Sequence, residues 1–281
     1  MPLSPSSLPF LGAGLGYRRS IRPFYREHRD ELGFLEVMPE HILDASADAK
    51  AALAADAKDL ALPIVSHSVS LSVGTATGPD RAFLPKLARI NRRHKVPWTS
   101  DHLCFTKIGD QTIGQLTPIP YTEESLEAVV HNVKEIQQAI GVPFLLENIS
   151  QYFQFPDNEL SETDFLAEVA KKTGCGLLLD VTNLRNNAAN LGTEPERYLT
   201  EYPMERLVQF HLAGSERVAG KLLDTHGTAI HPEVWRMTKR AIDNSHVRAL
   251  LIERDQTFGS LDRLAAEVRK AAKMMAKASG A

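Results

Sequence analysis

The sequence predicts an α/β protein built as a single (β/α)8 barrel over 1–281. Three observations lead there. Short apolar runs alternate with helical patterns along all 281 residues, the order that gives parallel strands joined by helical crossovers. Runs such as GLLLD at 176–180 and ALLIE at 249–253 show no apolar–polar alternation, as expected of strands covered on both faces. About eight strand-then-helix units follow one another with no linker, low-complexity tract or repeat, and eight such units close one barrel. A doubly wound open sheet is the competing architecture. Gly12, Gly14 and Gly16 are not followed by a clear helix start, so the phosphate-binding fingerprint of that fold is missing.

Taken in order, 10–16 is the first strand, glycine-rich at its end, and a mixed segment follows over 21–32. FLEV at 34–37 is the second strand. Residues 47–60, rich in alanine and broken by Pro63, form a helix. IVSH at 64–67 is the third strand, 81–94 the next helix, and 98–102 a strand with an unusually charged end. The clearest helix is 123–140, where Leu126, Val129, Val130, Val133, Ile136 and Ile140 recur at three- and four-residue spacing and make one apolar face. PFLLEN at 143–148 reads as a buried strand. Ser161 and Asp164 resemble a capping box opening a helix to Lys172. After the strand at 176–180, a short helix near 195–202 leads to the strand at 207–211. Pro232, suited to a first helical turn, opens a helix to Asn244. The strand at 249–253 and an amphipathic helix at 261–277 complete the pattern.

Composition narrows the function classes. With 43% hydrophobic and 24% charged residues, the chain reads as an ordinary soluble globular protein. A formal charge of −3 offers no basic footprint for nucleic acid, and no stretch reaches transmembrane length. The N-terminus lacks the basic and apolar regions of a signal peptide, so a cytoplasmic location is expected. Two cysteines, Cys104 and Cys175, sit in apolar surroundings and read as core; neither a disulfide framework nor a thiolate metal knot is available.

Polar residues sort by strand. The strands end in turn at His67, His102, Glu147, Asp180, His211 and Glu253. Asp224 and His226 lie in the loop after the seventh strand, and Asn183 lies three residues beyond Asp180. A lone histidine at a strand end is ordinarily just hydrogen-bonded, and a lone carboxylate there caps or salt-bridges. In a barrel, however, all these ends surround one mouth. Four imidazoles and four carboxylates directed into one space repel or stay unsatisfied unless something cationic sits among them. Histidine and carboxylate are the usual ligands of zinc and iron, and this many exceed what one ion uses, so a multinuclear site follows. Glu36 ends the second strand and reads as lining the pocket. His41 and His231, after strand ends, are candidates for supporting the ligands, while Tyr152 faces substrate or packs. His28, His94, His131 and His246 fall in or beside helices and read as surface or packing residues.

The same residues carry a family resemblance. SHSVSLSVG at 66–74, SDHL at 100–103, LLENISQY at 145–152, GCGLLLDVTN at 174–183, HLAG at 211–214, DTHG at 224–227 and IERD at 252–255 together resemble the multinuclear non-haem iron-dependent oxidative enzymes. That family contains the methanobactin-forming and thiaglutamate-forming peptide-modifying enzymes. The resemblance implies a xylose isomerase-like TIM-type barrel holding two or three irons, Fe(II) and Fe(III), with O2 as co-substrate. It implies oxidation of a residue, often cysteine, in a ribosomally made precursor peptide, and a partner protein that binds the leader. Carried over by motif, His67, His102 and Glu147 hold one iron. Glu147 bridges to a second, held also by Asp180, His211 and Glu253, and this quartet of Glu147, Asp180, His211 and Glu253 is the expected catalytic set. Asn183, Asp224 and His226 hold a third. The ligand order also resembles the endonuclease IV type of trinuclear zinc enzyme, where the residue at Asn183 is typically histidine. Thr182 departs from the asparagine common in the oxidative family. A zinc phosphodiesterase on DNA and a sugar isomerase on the same barrel are therefore the alternatives, and neither a nucleic acid nor a membrane partner is expected.

Overall fold

Eight parallel strands close on themselves in chain order: β1 (Gly12–Gly16), β2 (Phe34–Val37), β3 (Ile64–His67), β4 (Thr99–His102), β5 (Phe144–Glu147), β6 (Gly176–Asp180), β7 (Leu207–Leu212) and β8 (Ala249–Ile252). Gly12 lies opposite Ala249, so the last strand returns to the first. This computed structural model describes residues 3–109, 111–255 and 258–278. The expected closed barrel is what forms.

The strand pleat sorts side chains into two layers. Phe34, Val65, Trp98, Leu145, Leu178, Val208 and Leu251 form one apolar cluster; residues from six strands, with Trp98 directly before β4, can meet this way only on the barrel axis. Their chain neighbours Leu35, Leu146, Leu179, Leu207 and Ile252 point outward and pack with helix residues such as Val129, Val133 and Val268. Gly14 keeps the axis open at β1, because a Cβ there would lie 2.4 Å from the Phe34 ring. Since side chains repeat every two residues along a strand, two positions beyond the floor the same face presents Glu36, His67, Glu147, Asp180 and Glu253. The barrel therefore has an apolar floor and a polar ceiling at its C-terminal end.

On β7 the phase is corrected by a bulge. Leu177 pairs with Leu207 but Leu178 pairs with Gln209, so Val208 is an extra residue. Val208 and Gln209 both face inward, and His211 follows on the same face. Without the bulge, a strand putting Val208 in the floor would turn His211 outward.

The helices start where side chains can cap them. Ser46, Thr122 and Ser161 accept from Ala49 N, Ser125 N and Asp164 N, opening Ala47–Leu60, Glu123–Ile140 and Glu162–Thr173; each cap contributes about 1 kcal/mol. Ser161 also donates to Asp164 Oδ2 at 2.7 Å, so the box seen in the sequence is present with its return arm on the hydroxyl. The helix expected from 81 begins at Leu84 and that expected to run to Asn244 ends at Ile242.

Several elements are additional to those read from the sequence, the helix Pro39–Asp44 among them, and three features bear on the site. Helix Val181–Leu191 starts directly at the end of β6, with Asp180 as its cap. A hairpin of Phe105–Ile108 and Gln111–Thr117 follows β4, and one of Ser215–Val218 and Lys221–Asp224 follows β7. The second turns at Ala219 (φ 48) and Gly220 (φ 83), the two left-handed positions of a tight hairpin turn, and its last residue is Asp224. Among the described residues, no helix is long and apolar enough to cross a membrane.

Candidate metal centre

Five of the expected ligands converge at the strand ends. Glu147 is the hub: Oε2 lies 3.5 Å from His67 Nε2 and 3.4 Å from His102 Nε2, and Oε1 lies 3.2 Å from His211 Nδ1. Three sets of donors lie within 4.8 Å of one another among the described residues: His67–His102–Glu147, Glu147–Asp180–His211 and Glu36–His67–His211. The first two share Glu147. Glu253 reaches this group from β8, with Oε2 3.4 Å from His211 Nδ1.

The rings are aimed from behind. His67 Nδ1 lies 2.8 Å from Ser100 Oγ, which leaves Nε2 toward Glu147. His102 Nδ1 lies 3.4 Å from Asp101 Oδ1, and Asp101 is itself fixed by the backbone N–H groups of His102 and Leu71. Asp180 Oδ1 accepts from Asn183 N at 2.7 Å as the helix cap. Its Oδ2, together with Glu147 Oε2 and His211 Nδ1, is buried without a hydrogen-bond partner. Buried polar atoms are rarely left so.

Electrostatics say the same. Burial, then the neighbouring Asp224, Glu147 and Glu253, push the Asp180 carboxyl well above its usual range. Burial also raises Glu36. His67 falls well below an ordinary histidine through burial and the nearby His102 and His211. For His102, burial acts downward but is outweighed by Glu147 and Asp101, which bring it to about 9. Burial is likewise outweighed at His211 by Glu36, Glu147 and Glu253, and at His226 by Glu253 and Asp224, so both rise. Glu253 drops well below its usual range despite burial, because His226 and His211 flank it. The acceptors gather positive charge wherever a proton can supply it. The ion-pair partners found for Glu147, Asp224 and Glu253 among the described residues are all histidines. Buried imidazole and carboxylate donors with open lone pairs fit zinc or iron.

The remaining expected ligands stand differently. Asp224 Oδ2 lies 2.8 Å from His226 Nε2, which is 3.4 Å from Glu253 Oε2. His226 Nδ1 lies 2.9 Å from Asp255 Oδ2, and Asp255 pairs with Arg18 on the far side. His226 sits at φ 51, a left-handed conformation costing about 1 kcal/mol, held by its N–H on Gly214 O at 3.0 Å. Gly214 has to be glycine, since a Cβ would lie 2.0 Å from Thr228 O. Asn183 lines the cavity, but its Oδ1 accepts from Ser150 Oγ at 2.5 Å. Among the described residues, Asp224 and His226 enter none of the compact three-donor sets of histidine and carboxylate, and Asn183 is occupied by Ser150.

The centre opens to a cavity of about 350 Å³, lined also by Arg18, Met38, Gly114, Gln115, Leu116 and Tyr152. His41 and His231 are exposed and do not support the ligands; His231 caps the helix Pro232–Ile242 instead. Cys104 and Cys175 are buried free thiols, as expected. Sequence reasoning missed Asp255, Ser100, Asp101 and Gln209 as site residues, and it placed Glu36 in the pocket wall without its bond to His211. Ser100, Asp101 and Asp255 stand inside the SDHL and IERD segments and Gln209 inside a plain strand run, but the sequence does not say which side chain each one contacts.

In backbone, the chain is similar to sugar epimerases of the xylose isomerase-like barrel class. A D-tagatose 3-epimerase-like protein superposes with a TM-score of 0.61 at 13% identity, over 95% of this chain and 97% of that one. D-psicose 3-epimerase of Clostridium cellulolyticum H10 gives 0.57 at 14% identity, over 95% and 98%. At such identity the likeness is one of fold. A family model described as "RiPP precursor modification enzyme MbnB/TglH/ChrH" matches residues 12–276, and the chain belongs to that family of enzymes, which act on ribosomally synthesised peptide precursors. Relatives of similar length include UPF0276 proteins of Chromobacterium violaceum, 40% identical over 96% of each chain, and Caulobacter vibrioides, 37% identical over 92% of each.

Proposed function

We propose that the protein is a multinuclear iron-dependent, O2-using enzyme that oxidatively modifies a residue, cysteine before others, of a ribosomally made precursor peptide. The observation that carries this reading is the buried donor group around Glu147, with three unpartnered atoms facing one another, in a chain of a peptide-modifying family. His67, His102 and Glu147 would hold one metal, and Glu147, Asp180, His211 and Glu253 a second. Asn183, Asp224 and His226 offer a third position once Ser150 releases the Asn183 amide.

Iron bound there supplies the redox chemistry and O2 activation that no side chain has. The chain's own residues do the rest. Ser100 and Asp101 hold His67 and His102 in position, and the apolar floor below excludes water from the far side of the centre. A polypeptide substrate is supported by the rim. Of the exposed large hydrophobics, Ile108, Ile113, Leu116 and Val218 lie in the hairpins that follow β4 and β7, and Tyr152 and Phe153 in the segment after β5, all beyond strand C-termini. Phe10 precedes β1 and Leu261 opens the last helix. Such clustering of apolar side chains is typical of docking surfaces. A single catalytic domain over 1–281, acting in the cytoplasm with a leader-binding partner protein, completes the proposal.

The test is metal analysis of protein purified anaerobically from iron-57-grown cells, followed by O2 uptake with cysteine-containing precursor peptides. Two or three irons per chain, partly coupled in the Mössbauer spectrum, with peptide-dependent O2 uptake, are expected. Tightly bound zinc without iron, together with cleavage of abasic-site DNA, would replace this reading with a hydrolase.

A further inference from the structure

We infer that Glu36 is a positioning residue rather than a metal ligand: it holds His211 by Nε2 so that Nδ1 faces the metals, and it is itself set by Gln209 and Trp98. The inference rests on the metal-centre reading above.

Among the three histidines around Glu147, His211 is turned the other way. His67 and His102 are anchored through Nδ1 and present Nε2. His211 presents Nδ1, 3.2 Å from Glu147 Oε1, and its Nε2 points down toward Glu36 Oε2 at 3.1 Å. The two nitrogens of an imidazole diverge, so one ring gives one donor to a centre, and its other nitrogen decides which.

The floor beneath shows how Glu36 is set. The Trp98 indole N–H can only donate, and it donates to Gln209 Oε1 at 2.7 Å. That contact fixes the orientation of the amide. Its NH2 group therefore faces Glu36 Oε2 at 2.6 Å and His211 Nε2 at 2.8 Å. With a metal on Nδ1 the neutral ring carries its proton on Nε2, for which the amide NH2 offers no acceptor and Glu36 Oε2 does; in the metal-free ring Nε2 can instead accept from the amide. A metal held between Glu36 and His211 Nε2 would meet the same amide hydrogens, which disfavours Glu36–His67–His211 as a ligand set. The β7 bulge brings both Gln209 and His211 to the inner face. Four residues from three strand segments thus serve one ring orientation.

The test uses the full chain loaded anaerobically with Fe(II), or with Zn(II) if that is what it takes up. Metal stoichiometry, affinity against a competing chelator and, for iron, the Mössbauer spectrum are read; no peptide is involved. Glu36→Gln should bind as many ions as the wild type but at least about ten-fold more weakly, with one iron site altered in its quadrupole splitting. Glu36→Asp should recover part of the affinity. Loss of a whole metal equivalent in Glu36→Gln would make Glu36 a ligand and overturn the inference. So would affinity within two-fold of wild type with an unchanged spectrum. Should Glu36→Gln fail to fold, Trp98→Phe leaves every donor in place and frees the Gln209 amide; it should weaken binding by about three-fold, and unchanged binding would overturn the inference. A wild-type protein that takes up no metal would overturn the metal-centre reading together with this one, whereas metal uptake without peptide oxidation would leave the inference standing and sink only the proposed activity.

Discussion

Asp56 and Asp180 are shut away from water to the same degree, at 1% and 0% relative exposure, yet their surroundings are opposite. Asp56 accepts from Arg22 at 2.5 and 2.7 Å, from Arg26 at 2.8 Å and from Tyr17 at 2.7 Å. Burial acts to raise its pKa, but Arg22 and Tyr17 outweigh it and hold the carboxyl below its usual range. Asp180 meets no arginine or lysine among the described residues, leaves Oδ2 unpartnered and is driven up by burial and three neighbouring carboxylates. Burial therefore does not mark a functional carboxylate. The missing counter-charge does: Asp56 is complete within the protein, whereas Asp180 keeps an unpartnered oxygen, as the proposed metal centre requires.

That contrast can be broken in four places. The largest effect is expected at the hub. Glu147→Gln should lose metal at both positions that share it, with activity falling below detection, and elemental analysis checks the loss; full metal content would end the bridging assignment. Next, Asp180→Asn should raise the melting temperature of the metal-free protein by about 2–4 °C, since it removes a costly buried charge. The same variant should lose most of the gain that metal gives the wild type. A drop in both would place Asp180 with Asp56 as a structural residue. Third, Asp224→Ala with His226→Ala should remove no more than one metal equivalent and leave the buried pair loaded. The smallest effect is at the structural carboxylate. Asp56→Asn should cost about 1–2 kcal/mol in urea unfolding, the arginines being partly exposed, and leave metal content unchanged. Its folded pKa lies below its unfolded value, so its contribution is whole above about pH 4 and fades as pH falls through the lowered value. The gap between wild type and Asp56→Asn should accordingly be wide at pH 7 and narrow at pH 3.

The barrel was legible because eight apolar runs are separated by helices of clear period or clear punctuation. The strand-end ligands were legible because each charge terminates such a run, as in FLLE and GLLLD. Three kinds of feature escaped. The bulge at Val208 was hidden because LVQFH reads as a plain strand, and register is a property of two strands. The hairpin after β7 was hidden because Ala219 occupies a left-handed position usually taken by asparagine or glycine. The supporting residues Ser100, Asp101 and Gln209 were hidden because their meaning lies in a neighbour distant along the chain: Trp98 and Gln209 are 111 positions apart. Conversely, His231 attracted suspicion by chain position alone, and the fold gives it a helix to cap.

Arg18 and Asp255 close the barrel across 237 residues of chain, and Glu253 stands beside that seam. Contacts so remote along the chain form late, since a long loop must be closed before they stabilise anything. Of the proposed ligands, Glu253 is thus the one whose placement depends on the longest loop closure. In the proposed centre, completion of the ligand set and closure of the barrel are therefore one and the same event.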